Sequence, residues 1–284
     1  TLRVWDLTDM DNVTSRALEG HTEDVFSVIK LNETTIVSGS FDNTLRVWDL
    51  TDMDNVTSRA LNGHTESVNS VMKLNDTTIV SGSYDRTLRV WDLSDNKEKK
   101  KRKKLKSKKT KKLKGLKGKI QKYRAYFAKL SDLTRARVGR EGIETRWSSS
   151  TIATLALTPP PLVLREHVRS VNSVVKLNET TIVSGSSDET LRVWDLTNNT
   201  SRALEGHTND VESVIKLNET TIVSGSYDNT LRVWDLTDMN NVTSRALEGH
   251  TEDVSSVMKL NETTIVSGSF DNTLRVWDLT DMDN

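Results

Sequence analysis

The stretch Thr44-Leu45-Arg46-Val47-Trp48-Asp49-Leu50 is the most informative part of the chain, because the same seven residues occur six times. The distances between successive tryptophans of this block are 43, 43, 103, 40 and 43 residues. A repeat of this length indicates an array of similar structural units. The six tryptophans are Trp5, Trp48, Trp91, Trp194, Trp234 and Trp277.

One repeat unit has the pattern of four short strands. Residues 14–18, 25–31, 35–40 and 44–50 are rich in β-branched and apolar residues, and short polar turns separate them. A sheet of four short strands is too small to be stable alone, so it must stack against neighbours. We therefore predict an all-β fold, a β-propeller of four-stranded antiparallel blades, with five full repeats and a partial one at the N-terminus.

Polar residues recur with the same period. In each full unit a histidine is followed by serine, aspartate and tryptophan 17, 21 and 27 residues later. The chain has no other histidines. The five sets are His21, Ser38, Asp42 and Trp48; His64, Ser81, Asp85 and Trp91; His167, Ser184, Asp188 and Trp194; His207, Ser224, Asp228 and Trp234; and His250, Ser267, Asp271 and Trp277.

These motifs resemble the WD-repeat family, whose units carry Gly-His followed by Trp-Asp. The resemblance covers roughly residues 1–96 and 161–284, and its one departure is Glu166-His167, where the other units have Gly-His. It implies that the indole donates to serine, that serine meets the imidazole, and that aspartate holds the imidazole. The residue sequence of the repeats looks closest to that of the propellers of F-box substrate receptors.

Ser, His and Asp also form hydrolase triads, but a set that occurs five times at constant spacing argues against an active site. The resemblance assigns all of these side chains to the blades. Cysteine is absent, and every histidine is accounted for, so we expect no metal site, no cofactor and no enzymatic activity.

The order of strands leaves two arrangements open. The chain begins with the strand that comes fourth in the predicted repeat unit. It stops after Leu279, without the outer strand that normally follows. Residues 14–19 could supply that strand and close a ring of five blades. Alternatively, the chain is a fragment of a larger, incomplete ring, and targeting signals or further domains could lie outside it.

The copies differ from one another at few positions, and the resemblance places two of these on the partner-binding top face. Neutral variation at exposed turns is the competing interpretation. The first position follows the first valine of the second strand, and the second precedes the aspartate of each set. The candidate partner-binding residues are Phe26, Asn69, Asn172, Glu212 and Ser255 at the first position, Phe41, Tyr84, Ser187, Tyr227 and Phe270 at the second, and Asp210 nearby.

Propellers that read phosphopeptides place arginines at these two positions, and this chain has none there. Glu212 and its acidic neighbours would repel phosphate. The pattern favours a partner segment that contains lysine or arginine.

Residues 97–160 do not match the repeat, and they separate the repeats of residues 1–96 from those of residues 161–284. Residues 97–140 contain 21 lysines and arginines, and the only acidic residues there are Glu98 and Asp132. The spacing of apolar residues over 113–130 predicts an amphipathic helix. The insert could bind nucleic acid, signal nuclear import, fold back on the acidic repeats, or be an artefact of the gene model.

Taken together, the sequence predicts a non-catalytic scaffold that binds a protein or peptide on the top face. The alternatives are a nucleic-acid-associated protein that uses the lysine-rich insert, and a substrate receptor of a ubiquitin ligase. We find no apolar run long enough to span a membrane, and we expect a cytoplasmic or nuclear location. The sequence does not predict the oligomeric state.

Overall fold

The computed structural model describes residues 1–94 and 161–280, apart from residues 8, 10 and 11. All regular elements in these residues are β-strands, and neighbouring strands run antiparallel. No helix that could cross a membrane is found in the described part of the chain. The insert, its predicted helix and the boundary at 96 and 97 lie outside the described residues.

Blade 1 shows how a repeat folds. Its turn between the second and third predicted strands is closed by Asn32, whose side-chain oxygen accepts a hydrogen bond from the Thr34 amide at 3.0 Å. This Asx turn joins two strands whose β-branched residues alternate on the two faces of the sheet. The strands pair in chain order and are β3 (Val25–Asn32), β4 (Thr35–Ser40), β5 (Leu45–Asp49) and β6 (Thr57–Leu61).

The other repeats form equivalent sheets. Blade 2 consists of β7 (Val68–Asn75), β8 (Thr78–Ser83), β9 (Leu88–Asp92) and β10 (Leu162–Leu164). Blade 3 consists of β11 (Val171–Lys176), β12 (Thr181–Ser186), β13 (Leu191–Asp195) and β14 (Thr200–Leu204). Blade 4 consists of β15 (Val211–Lys216), β16 (Thr221–Ser226), β17 (Leu231–Asp235) and β18 (Thr243–Leu247). Blade 5 has the three strands β19 (Val254–Lys259), β20 (Thr264–Ser269) and β21 (Leu274–Asp278).

The prediction that residues 14–19 close a five-blade ring is wrong for this structure. β2 (Thr14–Leu18) pairs with β1 (Leu2–Asp6) in a separate two-stranded sheet, which we call the N-terminal pair. Within the described residues, β21 pairs with β20 alone. β1 has the same five residues as β21 and is joined to β2 by a short connection, so the local pairing requires less loop closure.

The apolar core lies between blades. The first strand of each blade contacts the first strand of the next, in the order β3, β7, β11, β15 and β19. Between blades 1 and 2, side chains of both sheets form one buried cluster, so each sheet obtains its core from its neighbour. The buried members of this cluster are Leu31, Val37, Leu45, Val68, Val71, Ile79 and Trp91.

Glycine in the second strand permits this close approach. A Cβ atom at Gly82 in blade 2 would lie 2.7 Å from Cγ1 of Val171 in blade 3 and 3.3 Å from the Val171 carbonyl oxygen. Gly39, at the same position in blade 1, meets Val68 of blade 2 in the same way. The glycine of the Val-Ser-Gly-Ser motif therefore serves the contact between blades.

A polar contact reinforces the apolar one. Lys73 at the end of β7 donates from Nζ to the Leu31 carbonyl of blade 1 at 2.6 Å. The same ammonium lies 2.9 Å from Asp76 in its own blade. The equivalent bonds at the later junctions are Lys176 to Leu74, Lys216 to Leu177 and Lys259 to Leu217.

We predict that Gly82→Ala destabilises the protein by about 1–3 kcal/mol, because the added methyl group overpacks a tight contact. The measurement is the midpoint of urea unfolding in dilute solution. Gly268→Ala in blade 5 is the matched control, since its nearest contact would be Leu274 of the same blade at 3.4 Å. Equal losses at the two positions would contradict the role assigned to this glycine.

Candidate functional site

A line of hydrogen bonds connects the four recurring side chains of each unit across its blade. In blade 1, Trp48 Nε1 donates to Ser38 Oγ at 2.8 Å, and Ser38 Oγ lies 2.7 Å from His21 Nε2. His21 Nδ1 lies 2.7 Å from Asp42 Oδ2. Ser38 and Trp48 lie in the neighbouring strands β4 and β5, Asp42 lies in the turn between them, and His21 lies in the loop before β3, so the line ties that loop to β4 and β5.

The same line is present in all five sets, with bond lengths between 2.7 and 2.9 Å. The indole can only donate, so the serine oxygen accepts that bond and its hydroxyl hydrogen is directed to Nε2. Both ring nitrogens of each histidine are therefore engaged within the blade, Nε2 with serine and Nδ1 with aspartate. The five serines are also buried, so each set is enclosed within its blade.

The aspartates are held in their charged form. Burial acts to raise the pKa of Asp42, but hydrogen bonds from Thr44, His21 and the Thr22 amide outweigh it and lower the pKa from 3.8 to about 2. In blade 2, burial likewise opposes the bonds from His64 and Thr87 that hold the pKa of Asp85 well below its usual value. Each line therefore ends on a carboxylate that is fully satisfied within the blade.

The replacement of glycine by Glu166 leaves this network intact. His167 lies 2.8 Å from both Asp188 Oδ2 and Ser184 Oγ, as in the other units. The Glu166 carboxylate is 3.7 Å from Arg192 Nη1, whose equivalents in other blades pack against the glycine. An ion pair thus accompanies the one departure from the motif.

The first variable position lies in a β-bulge at the start of the first strand of each blade, which is the second strand of the predicted repeat unit. In blade 4 the pairing of β15 with β16 shifts between Val211 and Ser213, which leaves Glu212 as the extra residue. A bulge bends the strand and redirects the side chain it contains. All five residues of this position occupy such bulges: Phe26, Asn69, Asn172, Glu212 and Ser255.

Three of these five bulge residues bond to the scaffold. Asn69 donates to the Val171 carbonyl, and Asn172 donates to the Val211 carbonyl, each at 3.3 Å and each in the next blade. Asn172 also donates to Ser187 Oγ at 3.1 Å, and Ser255 Oγ donates to the Gly268 carbonyl at 3.4 Å. These polar side chains stabilise the blades in this structure.

Aromatic rings occupy most of the second variable position. The rings of Phe26 and Phe41 are 6.0 Å apart in blade 1, and both side chains are more than half exposed. The rings of Tyr227 in blade 4 and Phe270 in blade 5 are also 6.0 Å apart, so that pair bridges two blades. Tyr84 is exposed in blade 2.

Glu212 differs from its counterparts because nothing in the described chain pairs with it. Its side chain is partly buried, and it has neither a hydrogen-bond nor an ion-pair partner among the described residues. Burial raises the pKa of Glu212, and the nearby Asp210 raises it further. The Tyr227 amide donates to the Asp210 carbonyl at 2.9 Å, which places this tyrosine beside the acidic pair.

The comparisons with known proteins agree with this geometry. The model for the WD domain, G-beta repeat, matches residues 12–49, 55–92, 159–195, 198–235 and 241–278. The chain belongs to this WD40 family. No curated protein sequence matches the chain.

A solved structure described as the WD40 beta propeller domain of Doa1 is similar to this WD40 chain, with a TM-score of 0.62 and 18% identity. The similarity covers 93% of this chain and 68% of that one, and at this identity it shows the fold alone. WD40 propellers generally serve as protein-interaction scaffolds and are typically non-catalytic. The likeness to F-box propellers stays a prediction.

Some features of the WD40 units were not predicted from the sequence. Thr44 Oγ1 donates to Asp42 Oδ1 at 2.6 Å, and equivalent threonines follow every aspartate of the set. Their constant spacing two residues after aspartate was the signal available. The lysines that donate to the preceding blade were likewise not predicted from the sequence.

The residue after each of these aspartates has a left-handed backbone, with φ between 65° and 69°. Asparagine tolerates this conformation, and Asn43 and Asn229 also donate to a carbonyl of the next blade at 3.2 Å. Arg86 and Glu189 adopt the same backbone without an amide side chain. The position after the aspartate, which also differs among the copies, therefore carries a local conformational cost in blades 2 and 3 of the WD40 array.

The lowered pKa of the aspartates in these hydrogen-bonded lines predicts how the stability of the WD40 chain depends on pH. Asp42 has a lower pKa folded than unfolded, so its stabilising contribution is complete above its ordinary pKa of 3.8 and is lost as the pH falls toward 2. We expect the urea midpoint to fall steeply over this range. Asp42→Asn should be less stable at neutral pH and should show a shallower fall.

The measurement is urea unfolding followed at several pH values. Asp54→Asn serves as the control, because the side chain of Asp54 is almost fully exposed, and its pH profile should match that of the wild type. If Asp42→Asn and the wild type lost stability in parallel below pH 4, the role of this carboxylate would be wrong.

Proposed function

We propose that this WD40 chain is a non-catalytic interaction platform that binds a lysine or arginine side chain of a partner protein next to Glu212. The observation that carries the proposal is the partly buried carboxylate of Glu212, which has no partner among the described residues. Partial burial makes the charged form of this carboxylate less favourable, and a bound cation would offset part of that cost.

The surroundings of Glu212 fit a cation. Asp210, two residues before Glu212, contributes a second negative charge that raises the pKa of the Glu212 carboxyl. Burial raises the pKa of Tyr227, and Glu212, Asp253 and Asp210 raise it further in that order. The field at Tyr227 is therefore negative, which attracts ammonium or guanidinium groups and repels phosphate.

The aromatic pair beside the carboxylates suits the stem of such a side chain. Tyr227 and Phe270 lie 6.0 Å apart with their planes tilted by 53°, and Phe270 is 61% exposed. A cation over an aromatic face gains about 0.5–2 kcal/mol, depending on how far it is removed from water. The carboxylates would hold the charge, and the rings would contact the aliphatic part.

The comparison among the five bulge residues supports this choice of position. Asn69 and Asn172 bond to the next blade, whereas Glu212 at the equivalent position of blade 4 does not. A position whose side chain bonds to the scaffold in three copies, including Ser255, and is left without a partner in blade 4 is the best candidate for contact with a partner protein. We take the exposed pair Phe26 and Phe41 as a second, apolar contact on blade 1.

We expect short peptides with one central lysine or arginine to bind the protein better than the same peptides with glutamine there. Glu212→Lys should weaken that binding by about tenfold or more, because a close charge pair at an interface is worth about 1.5 kcal/mol or more. The measurement is a fluorescence-anisotropy titration of a peptide set with varied flanking residues.

Glu219→Lys is the matched control, since Glu219 follows the opposite end of the same strand and is exposed. Its affinity for the peptides should be unchanged apart from a general loss of attraction at low salt. The proposal would be overturned if both variants weakened binding equally, or if basic and glutamine peptides bound alike.

A further inference from the structure

Asn172 of blade 3 and Glu212 of blade 4 occupy the same position in their blades and are neighbours across the junction. Asn172 Nδ2 donates to the Val211 carbonyl at 3.3 Å, and Val211 is the residue before Glu212. The Asn172 amide therefore contacts the peptide group that joins Val211 to Glu212. A neutral hydrogen-bonding group of blade 3 is thus placed beside the cation site proposed on blade 4.

The orientation of the Asn172 amide follows from its hydrogen bonds. A carbonyl oxygen can only accept, so the Nδ2 atom faces Val211, and its second hydrogen is donated to Ser187 Oγ at 3.1 Å. Both hydrogens of the amide are used in this way. The Oδ1 atom of Asn172 has no hydrogen-bond partner among the described residues, so it is an acceptor held in a fixed direction.

This acceptor and the carboxylate of Glu212 can be reached from solvent. Within the described part of the chain, the enclosed side-chain atoms that could form hydrogen bonds but do not are the Nε atoms of Arg46, Arg89, Arg192 and Arg232. Asn172 and Glu212 have unbonded oxygens there but contribute no atom to this enclosed set. A ligand on this face therefore finds accessible acceptors from two blades.

Glu212 cannot make the contact between blades that its counterparts make. Asn69 and Asn172 each donate to the carbonyl of the first valine in the next blade, and the carbonyl that corresponds for Glu212 is that of Val254. A carboxylate has no hydrogen to donate to this oxygen. Both oxygens of Glu212 therefore remain for a donor from a partner.

An aromatic ring borders the same site. Within a blade the first and second variable positions are in contact, as the bond from Asn172 to Ser187 shows, and the corresponding neighbour of Glu212 is Tyr227. The Tyr227 ring lies 6.0 Å from that of Phe270 in blade 5. A flat cation can stack on such a ring while it pairs with a carboxylate beside it.

We propose that the partner side chain at this site is an arginine, whose guanidinium donates to Glu212 and to Asn172 Oδ1 together. The inference rests on the proposed function and names the side chain which that function leaves open. A guanidinium carries five N–H donors in a planar fork, so one edge pairs with the carboxylate while another N–H reaches the second acceptor. An ammonium is a compact charge whose donors spread from one atom, so it gains less from an acceptor in another blade.

The first test is a fluorescence-anisotropy titration with peptides that differ only in the central residue, which is arginine, lysine or glutamine. We expect arginine to bind about tenfold more tightly than lysine, because it adds one hydrogen bond from a charged donor, and lysine more tightly than glutamine. Equal affinity for arginine and lysine, with both above glutamine, would overturn this inference and leave the proposed function in place. Equal affinity for all three would overturn both.

The second test removes the amide oxygen with Asn172→Ser. Serine occupies this position in blade 5, so it fits the bulge. We expect the variant to bind arginine and lysine peptides alike, at the affinity of the wild type for lysine. Asn69→Ser is the matched control, because it removes the same kind of bond between blades 2 and 3 and should leave the preference for arginine unchanged. An equal loss for both peptides in Asn172→Ser, or a retained preference, would overturn the inference.

The third test is Glu212→Asn, which gives blade 4 the residue found in blades 2 and 3. Its urea midpoint should be no lower than that of the wild type, because asparagine can donate to the Val254 carbonyl as its counterparts donate to theirs. The variant should bind the three peptides alike. A variant that is less stable, or that still prefers arginine, would overturn the inference, since Glu212 would then serve the scaffold or play no part in the choice of side chain.

Discussion

The contact between successive blades is the interaction on which the rest of this structure depends. A four-stranded sheet has two faces and no interior, so its apolar residues are removed from water only when another sheet covers them. The glycine of the second strand brings the next blade within van der Waals contact, and valine fills the space. The lysine that reaches the preceding blade then fixes the register of the stack.

The polar line within each blade solves a second problem, which is how to bury an indole, an imidazole and a carboxylate together. Each donor meets an acceptor, so no buried polar group of the line is left unsatisfied. A network of this kind allows one arrangement of the strands. The constant residues of the line therefore hold each blade together, and some variable residues, such as Asn172, add contacts between blades.

Much of the fold could be predicted because the repeat carries the information many times. The strand that begins near Val25 and the turn at Asn32 follow from residue types and spacing, and the resemblance to the WD-repeat family implies the Trp48 line. Pairing of β2 could not be predicted, since β1 and β21 offer it identical partners and only chain connectivity separates them. The hydrogen bond from Asn172 to the next blade could not be predicted from the sequence either, because it depends on the bulge and on the distance between the sheets.

The central claim is that each blade is stabilised by the blade that covers it, and hydrogen exchange at the tryptophan indoles in dilute solution tests it most directly. Trp48, Trp91, Trp194 and Trp234 are buried, donate to serine and belong to blades covered by the next blade. Trp277 donates to an equivalent serine in blade 5, where its indole packs against blade 4 but no following blade covers the opposite face of the sheet in the described chain. We predict that the four covered indoles exchange much more slowly than that of Trp277. Equal protection of all five would contradict the claim, because the bond within the blade would then suffice without a neighbour.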